Sequence, residues 1–191
     1  MHRRRPLSNR VRRGQAVVEF ALVGPIFFVV LFGIIQFGVF AVQHASFTFA
    51  VRNATRAASI HANEHDADTQ VCAALLTSLR SSAASPANLG TVTIFKADDA
   101  DMNSMGTDNP TAHDAGVCST AGTFTPLPSA TDTYATSWPY GARRVIDPPD
   151  PIGVTATYNF KFILPLFGSG ATIRDTMILR IEPQCANGTT C

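Results

Sequence analysis

Charge is scarce in this sequence and unevenly placed. Charged side chains make up 15% of its 191 residues, and no Asp, Glu, Lys or Arg lies between Glu19 and Arg52. Tryptophan occurs once and tyrosine three times. Beyond residue 14 there is no basic patch with interleaved aromatics, so no nucleic-acid partner is expected. Catalytic signatures are missing as well: there is no Gly-x-Ser-x-Gly elbow, no Walker A loop and no zincin helix motif. No Cys-x-x-Cys occurs, and no His stands at zinc-ligand spacing from a Cys pair, which argues against a zinc site. These absences lead us to expect no enzyme activity, no metal and no cofactor.

The charge that is present is polarised. Arg3, Arg4, Arg5, Arg10, Arg12 and Arg13 precede Gly14, and from Gln15 onward the remaining nine basic side chains face all fourteen acidic ones. The net charge of +1 therefore hides a basic head and a body of about −5. Two chemical environments are implied. Between them runs Phe20 to Val42, whose only strongly polar residue is Gln36. A helix over that stretch spans roughly 35 Å, enough to cross the hydrocarbon core of a bilayer. The arginine-rich flank predicts an N-terminus on the cytoplasmic side and a C-terminal body outside. Glu19 stands at the mouth of the run. A carboxylate within hydrocarbon costs roughly 2.5–3.5 kcal/mol on insertion scales and marks function by default.

A cleavable secretory signal is the rival reading. Its apolar core would be shorter and would close on a small-residue site, whereas Ala41-Val42-Gln43 runs on into further helical sequence. A twin-arginine signal fits poorly too, because the pattern expected after the arginine pair is missing. Within the run, Gly24-Pro25 predicts a kink near Ala21 to Pro25. Gly33 and Gly38 permit close approach of other helices.

Beyond Val42 the helical pattern continues from His44 to Ile60, with Phe47, Val51, Ala54 and Ala58 on one stripe. Arg52 and Arg56 share another face, read as solvated or headgroup-facing, with pairing to acidic groups of neighbouring subunits as the sharper alternative. Asp66 or Asp68 caps a second helix over 67–83, whose apolar face is Val71, Leu75, Leu76 and Leu79. Thr91 to Phe95 alternates as a strand. Residues 96–150 are polar and rich in turn formers, too long for a structureless loop in a compact domain. Pro148-Pro149-Asp150-Pro151 resists regular structure. Gly153 to Leu164 alternates strongly, with Val154, Ala156, Tyr158, Phe160 and Phe162 on one side. A last strand follows over Thr172 to Glu182, with Ile173, Met177, Leu179 and Ile181 on one face. Asp175 interrupts that face. The fold class expected is α+β: a long N-terminal transmembrane helix, then a small domain in which an antiparallel sheet of three or more strands packs on helix.

Four cysteines, Cys72, Cys118, Cys185 and Cys191, all follow the apolar run. An even number in an exported domain favours disulfides. Three connectivities are possible. We expect Cys72–Cys118, tying the second helix to the long loop, and Cys185–Cys191, closing a C-terminal loop. Asp99, Asp101 and Asn103 are spaced like the start of a calcium loop, but Ser104 stands where glycine is needed and Pro110 where the closing glutamate belongs. A polar turn is the better reading. His61 and His65 are four apart, without an evident third ligand.

The stretch Gly14-Gln15-Ala16-Val17-Val18-Glu19-Phe20 resembles the class III signal of type IV pilins and pseudopilins. Residues 14–59, including GQAVVEFALVGPIFFVVLFGIIQFG and the later RNATRAAS, are similar to the TadE-like domain, found in minor pseudopilins of the tight-adherence (Tad, Flp-type) pilus machinery. The resemblance implies cleavage after Gly14 by a prepilin peptidase. Gln15 then becomes the first mature residue, Glu19 the fifth and Phe20 the sixth. It implies that Glu19 pairs with the new α-amine of Gln15, on the same subunit or a neighbour, giving assembly its register. Glycine at the cut fits a peptidase pocket too tight for a side chain.

Three segments follow: a basic cytoplasmic leader over 1–14, the TadE-like helix over 15–62 with its membrane span at 20–42, and an extracytoplasmic α+β domain over 63–191. The expected protein is a minor pilin or pseudopilin subunit in the cytoplasmic membrane, single-pass, with its C-terminal domain periplasmic or extracellular. Its partners would be the prepilin peptidase, other pilins and the inner-membrane Tad assembly proteins. The alternative is a signal-anchored extracytoplasmic binding or adhesin-like protein that does not assemble.

Overall fold

The computed structural model describes residues 10–97, 113–127, 138–146, 148–162 and 168–183. The chain separates into two compact units, Met1–Val39 and Phe40–Cys191. Helix α1 (Arg10–Ile60) supplies the described part of the first and opens the second. It begins at Arg10, earlier than the start at Gln15 read from the sequence. Neither proline nor glycine stands between Arg10 and Arg13, and arginine is a good helix former. Pro25 lies inside an uninterrupted helical span. Side chains along the first unit are apolar and open: Phe20 is 70% exposed and Phe37 71%. Apolar surface on that scale calls for lipid or other helices around it.

The second unit is built on an antiparallel sheet of five described strands, in the order β3-β2-β1-β4-β5. They are β1 (Leu89–Lys96), β2 (His113–Cys118), β3 (Phe124–Pro126), β4 (Pro151–Lys161) and β5 (Gly170–Arg180). The mixed α+β class read from the sequence is the observed one. The α1 stripe Phe47, Val51, Ala54 and Ala58 is buried, as is the apolar face of α2 (Ala67–Arg80). Opposite them lies one face of the sheet, where Val154, Ala156 and Tyr158 of β4 are buried beside Val92 and Ile94 of β1. The Phe47 and Tyr158 rings are 5.3 Å apart, and those of Phe40 and Phe160 5.0 Å. Asn53 Nδ2 donates to Ser78 Oγ at 3.0 Å, joining α1 to α2. The Tyr158 hydroxyl donates to Gln43 and accepts from the Ser85 amide.

Two short strands, β2 and β3, and a 3-10 turn at Tyr140–Ala142 lie within 96–150, where the sequence pointed to no particular element. His-Asp-Ala-Gly-Val-Cys lacks clear alternation. Its pairing with β1, from Thr91↔Val117 to Phe95↔His113, is set by tertiary context. Gly116 lies so close to Phe124 and the Thr125 carbonyl that a Cβ would clash with backbone. The proline-rich 148–151 segment ends in structure: Pro151 is the first residue of β4, opposite Arg180, a position where a missing donor is tolerated. Helix α2 stops at Arg80 and not at residue 83; the Ser81 and Ser82 amides return to Thr77 and Leu79 carbonyls.

Candidate functional site

The segment Gly14–Phe20 forms two turns of α1, close to its N-terminus. Amides in the first turn of a helix have no partner within it, so the backbone just before the Gly14–Gln15 bond is held less firmly than the rest. Gly14 is exposed, and among the described residues nothing beyond its chain neighbours and its own helical backbone lies within 4 Å of where its Cβ would be. Gln15 and Glu19, four residues apart, come together: Gln15 Nε2 donates to Glu19 Oε1 at 3.1 Å. A helical side chain leans toward the N-terminus, which carries the Glu19 carboxylate back over the Gln15 turn. The Phe20 ring lies over Gly24, 3.6 Å from where a Cβ would sit there. Glycine at 24 thus makes room for a ring laid along the helix. The amide of Gln15 as a partner for Glu19 was not read from the sequence. Its signal is the i, i+4 spacing of two polar side chains in an apolar context.

Sites elsewhere sort as follows. Cys72 and Cys118 are joined, with a Cα–Cα distance of 5.5 Å, linking α2 to β2. Cys185 and Cys191 lie outside the described residues, and so do Asp99, Asp101 and Asn103. His61 and His65 are not brought together. His61 Nδ1 meets Glu64 at 2.9 Å, while the His65 ring lies 5.2 Å from that of Tyr140. Among the described residues no group of three or more His, Cys, Asp or Glu could hold a metal. Arg52 and Arg56 are exposed.

One buried charge cluster went unpredicted. The Arg143 side chain is fully buried. It bonds Asp68 at 2.6 Å, Asp114 at 3.4 Å and the carbonyls of Trp138 and Ala62, and its guanidinium lies 5.1 Å from the Trp138 ring centre. Burial pushes the Asp114 carboxyl above its usual range, the Asp68 charge adds to this, and Arg143 opposes both. A second ion group, Asp150 with Lys96 at 2.8 Å and Arg144 at 3.1 Å, ties the end of β1 to the start of β4. Every ligand of Arg143 belongs to the chain itself, and the arrangement binds four segments together. The cluster thus ties distant parts of the second unit to one another.

Residues 14–56 match the model of the TadE-like protein family. The match begins at Gly14 and ends within α1. Comparisons with curated proteins and with solved structures gave no match. The match covers less than a quarter of the chain and suggests a protein related to the Tad pilus system. Among the described residues, α1 is the one helix long and apolar enough to cross a membrane, and it suggests a single-pass anchor.

Proposed function

We infer that this protein is a minor pilin or pseudopilin subunit of a Tad (Flp-type) pilus. It is cut after Gly14 by a prepilin peptidase and works in pilus assembly, adhesion or secretion as a structural subunit, not an enzyme. The observation that carries this reading is the family match starting at Gly14 itself. The chain's own packing supports it. Glycine inside a helix costs roughly 1 kcal/mol relative to alanine, and no contact among the described residues outside its own helical backbone requires it at position 14. A reason outside the chain is therefore needed, and a tight peptidase pocket supplies one.

Glu19 fits the same reading. It already reaches the Gln15 side chain, so cleavage would place a new positive α-amine within one helical turn of it. Pairing of that amine with Glu19, on the same subunit or the next, offsets the burial of a carboxylate in hydrocarbon and fixes axial register. Two facts on opposite ends of the span support the orientation. Arginines crowd the leader, as expected on the cytoplasmic side. The Cys72–Cys118 disulfide fits an oxidising compartment for the second unit. The partners are then the peptidase, other pilins and the inner-membrane assembly proteins.

The test is expression of the full chain with and without a prepilin peptidase, followed by N-terminal sequencing. A chain starting at Gln15 only when the peptidase is present is the expected result. An intact Met1 in both cells would overturn the reading.

A further inference from the structure

We propose that the Cys72–Cys118 bond is made through Cys118. This cysteine first forms a mixed disulfide with an external, disulfide-bearing oxidant, and Cys72 then displaces that oxidant. The two cysteines differ in access. Cys72 is fully buried on the apolar face of α2, with Val71, Leu75 and Leu76. Cys118 is the last residue of β2 and is only partly covered. Val117 before it is exposed, and so is Thr120 in the turn that follows. Thiol–disulfide exchange depends on access to the sulfur as well as on thiolate character. An incoming oxidant therefore meets Cys118 and not Cys72.

The fold keeps Cys72 close for the second step by ties that do not pass through the sulfurs. Asp68 stands four residues before Cys72 on α2, and Asp114 four before Cys118 on β2. Four residues is about one turn of a helix and an even number of steps along a strand, so each aspartate shares a face with its cysteine. Arg143 bridges the two aspartates, at 2.6 Å and 3.4 Å. Beyond the cysteines along both elements, the Arg80 guanidinium donates to the Thr120 carbonyl, and Ala73 lies 3.6 Å from where a Cβ of Gly122 would sit. The pair is thus flanked by non-covalent contacts on both sides, which offsets the entropy of closing a long loop.

The exchange balances in two steps. The Cys118 thiolate attacks one sulfur of the oxidant; a bond to Cys118 Sγ forms, the oxidant's own disulfide breaks and one thiolate leaves. The Cys72 thiolate then attacks Cys118 Sγ; the mixed bond breaks and the oxidant's other sulfur leaves as a thiolate. Two cysteine thiols are oxidised, one external disulfide is reduced, and the two cysteine protons end on the departing thiols. Where the chain meets its oxidant rests on the reading of the second unit as exported. The order of the two cysteines does not, so a failure of the order leaves that reading standing.

The test uses the full chain, reduced and detergent-solubilised, carrying Cys185→Ser and Cys191→Ser, with oxidised glutathione as the oxidant. Acid quenching at early times and peptide mapping should find glutathione on Cys118, and the adduct should then give way to the Cys72–Cys118 bond. Further replacement of Cys72 by serine should leave that adduct in place. It should form at least about tenfold faster than glutathione adds to Cys72 in the Cys118→Ser chain, because a buried group reacts only through local opening. Urea should bring the two rates together. An early adduct on Cys72, or equal rates for the two serine chains in buffer, would overturn the order. A Cys118 adduct that persists while Cys72 is free would overturn the second step. Should a serine chain fail to fold, shown by the same rate with and without urea, the early adduct in the two-thiol chain decides alone.

Discussion

Arg143 and Asp68 meet at 2.6 Å across seventy-five residues of chain, with the guanidinium fully buried. The contact joins the first turn of α2 to the segment before β4. Asp114 draws β2 into the same group. None of these pairings has a local sequence signal, yet together they hold the far end of the second unit closed.

Replacing Arg143 by leucine removes the cation that, among the described residues, pairs with both Asp68 and Asp114, carboxylates that are themselves largely covered. Loss of one partner from a buried ion group costs about 3–5 kcal/mol, chiefly because the remaining charge is stranded. Urea unfolding of the detergent-solubilised chain should show an unfolding free energy lowered by that amount. A drop below about 1 kcal/mol, the range of exposed pairs, would mean the group is hydrated in solution.

The Asp114 carboxyl should titrate above the model-compound value of 3.8, because it is buried and faces Asp68. The sign for stability follows. A raised folded-state pKa means that ionisation is less favourable in the folded chain than in the unfolded one. Its contribution to stability is therefore fully present below pH 3.8 and is lost as pH rises through the folded value. Carbon-detected NMR of the carboxyl carbons should show the Asp114 midpoint moving down in Asp68→Asn, since the repulsive charge is gone. An unchanged midpoint would leave burial as the sole cause.

The disulfide should stabilise mainly through the unfolded chain. Cys72 and Cys118 are separated by 46 residues, and closing a loop of that size corresponds to roughly 4 kcal/mol on the chain-entropy account. The double variant Cys72→Ser/Cys118→Ser should lose stability of that order in chemical unfolding. Equal unfolding midpoints for the variant and the oxidised wild type would show that the ion group and helix packing carry the α2–β2 junction unaided.

What could be read from the sequence was what has a period. The stripe Phe47, Val51, Ala54, Ala58 and the α2 face Val71, Leu75, Leu76, Leu79 recur at three- and four-residue spacing, and all are buried. Val154, Ala156, Tyr158 and Phe160 alternate, and all are buried. Strands β2 and β3 were not legible, because Gly116 and Pro126 carry no hydrophobic signal and their place depends on partners distant in sequence. Arg143 was illegible for a related reason. One of two adjacent arginines in a turn-rich stretch reads as solvated until the fold surrounds it. At the N-terminus, Glu19 stood out because a carboxylate beside an apolar run is conspicuous by its energetic cost, whereas Gly14 was singled out only through the resemblance to the class III signal.

Asp175 illustrates the opposite case, a break in periodicity that carries meaning. It pairs opposite Ala156, on the helix-facing side of the sheet between Ile173 and Met177. Strand β5 is an edge of the sheet, and a charge pointing inward from an edge opposes pairing with another copy. Asp175→Val should therefore increase concentration-dependent association of the solubilised chain in sedimentation velocity. A variant that sediments as wild type does would show that the edge is guarded by other means.

Glu19 gives the prediction closest to function. In Glu19→Ala the helix loses a carboxylate at the mouth of its apolar run, so insertion should be unimpaired or easier. Cleavage should also continue, because Gly14 is intact. Assembly should suffer. If the mature α-amine is the partner, it is left uncompensated in hydrocarbon, and the variant should co-purify with its partner subunits at least about tenfold less, the equivalent of ~1.4 kcal/mol. Glu19→Gln separates charge from hydrogen bonding. The amide can still bond the Gln15 side chain, which is the contact Glu19 makes within the chain. It cannot neutralise an ammonium. Failure of both variants, with normal membrane levels and a mature chain starting at Gln15, identifies the ion pair as the assembly determinant. Normal assembly of Glu19→Gln would instead assign the role to the local Gln15 contact.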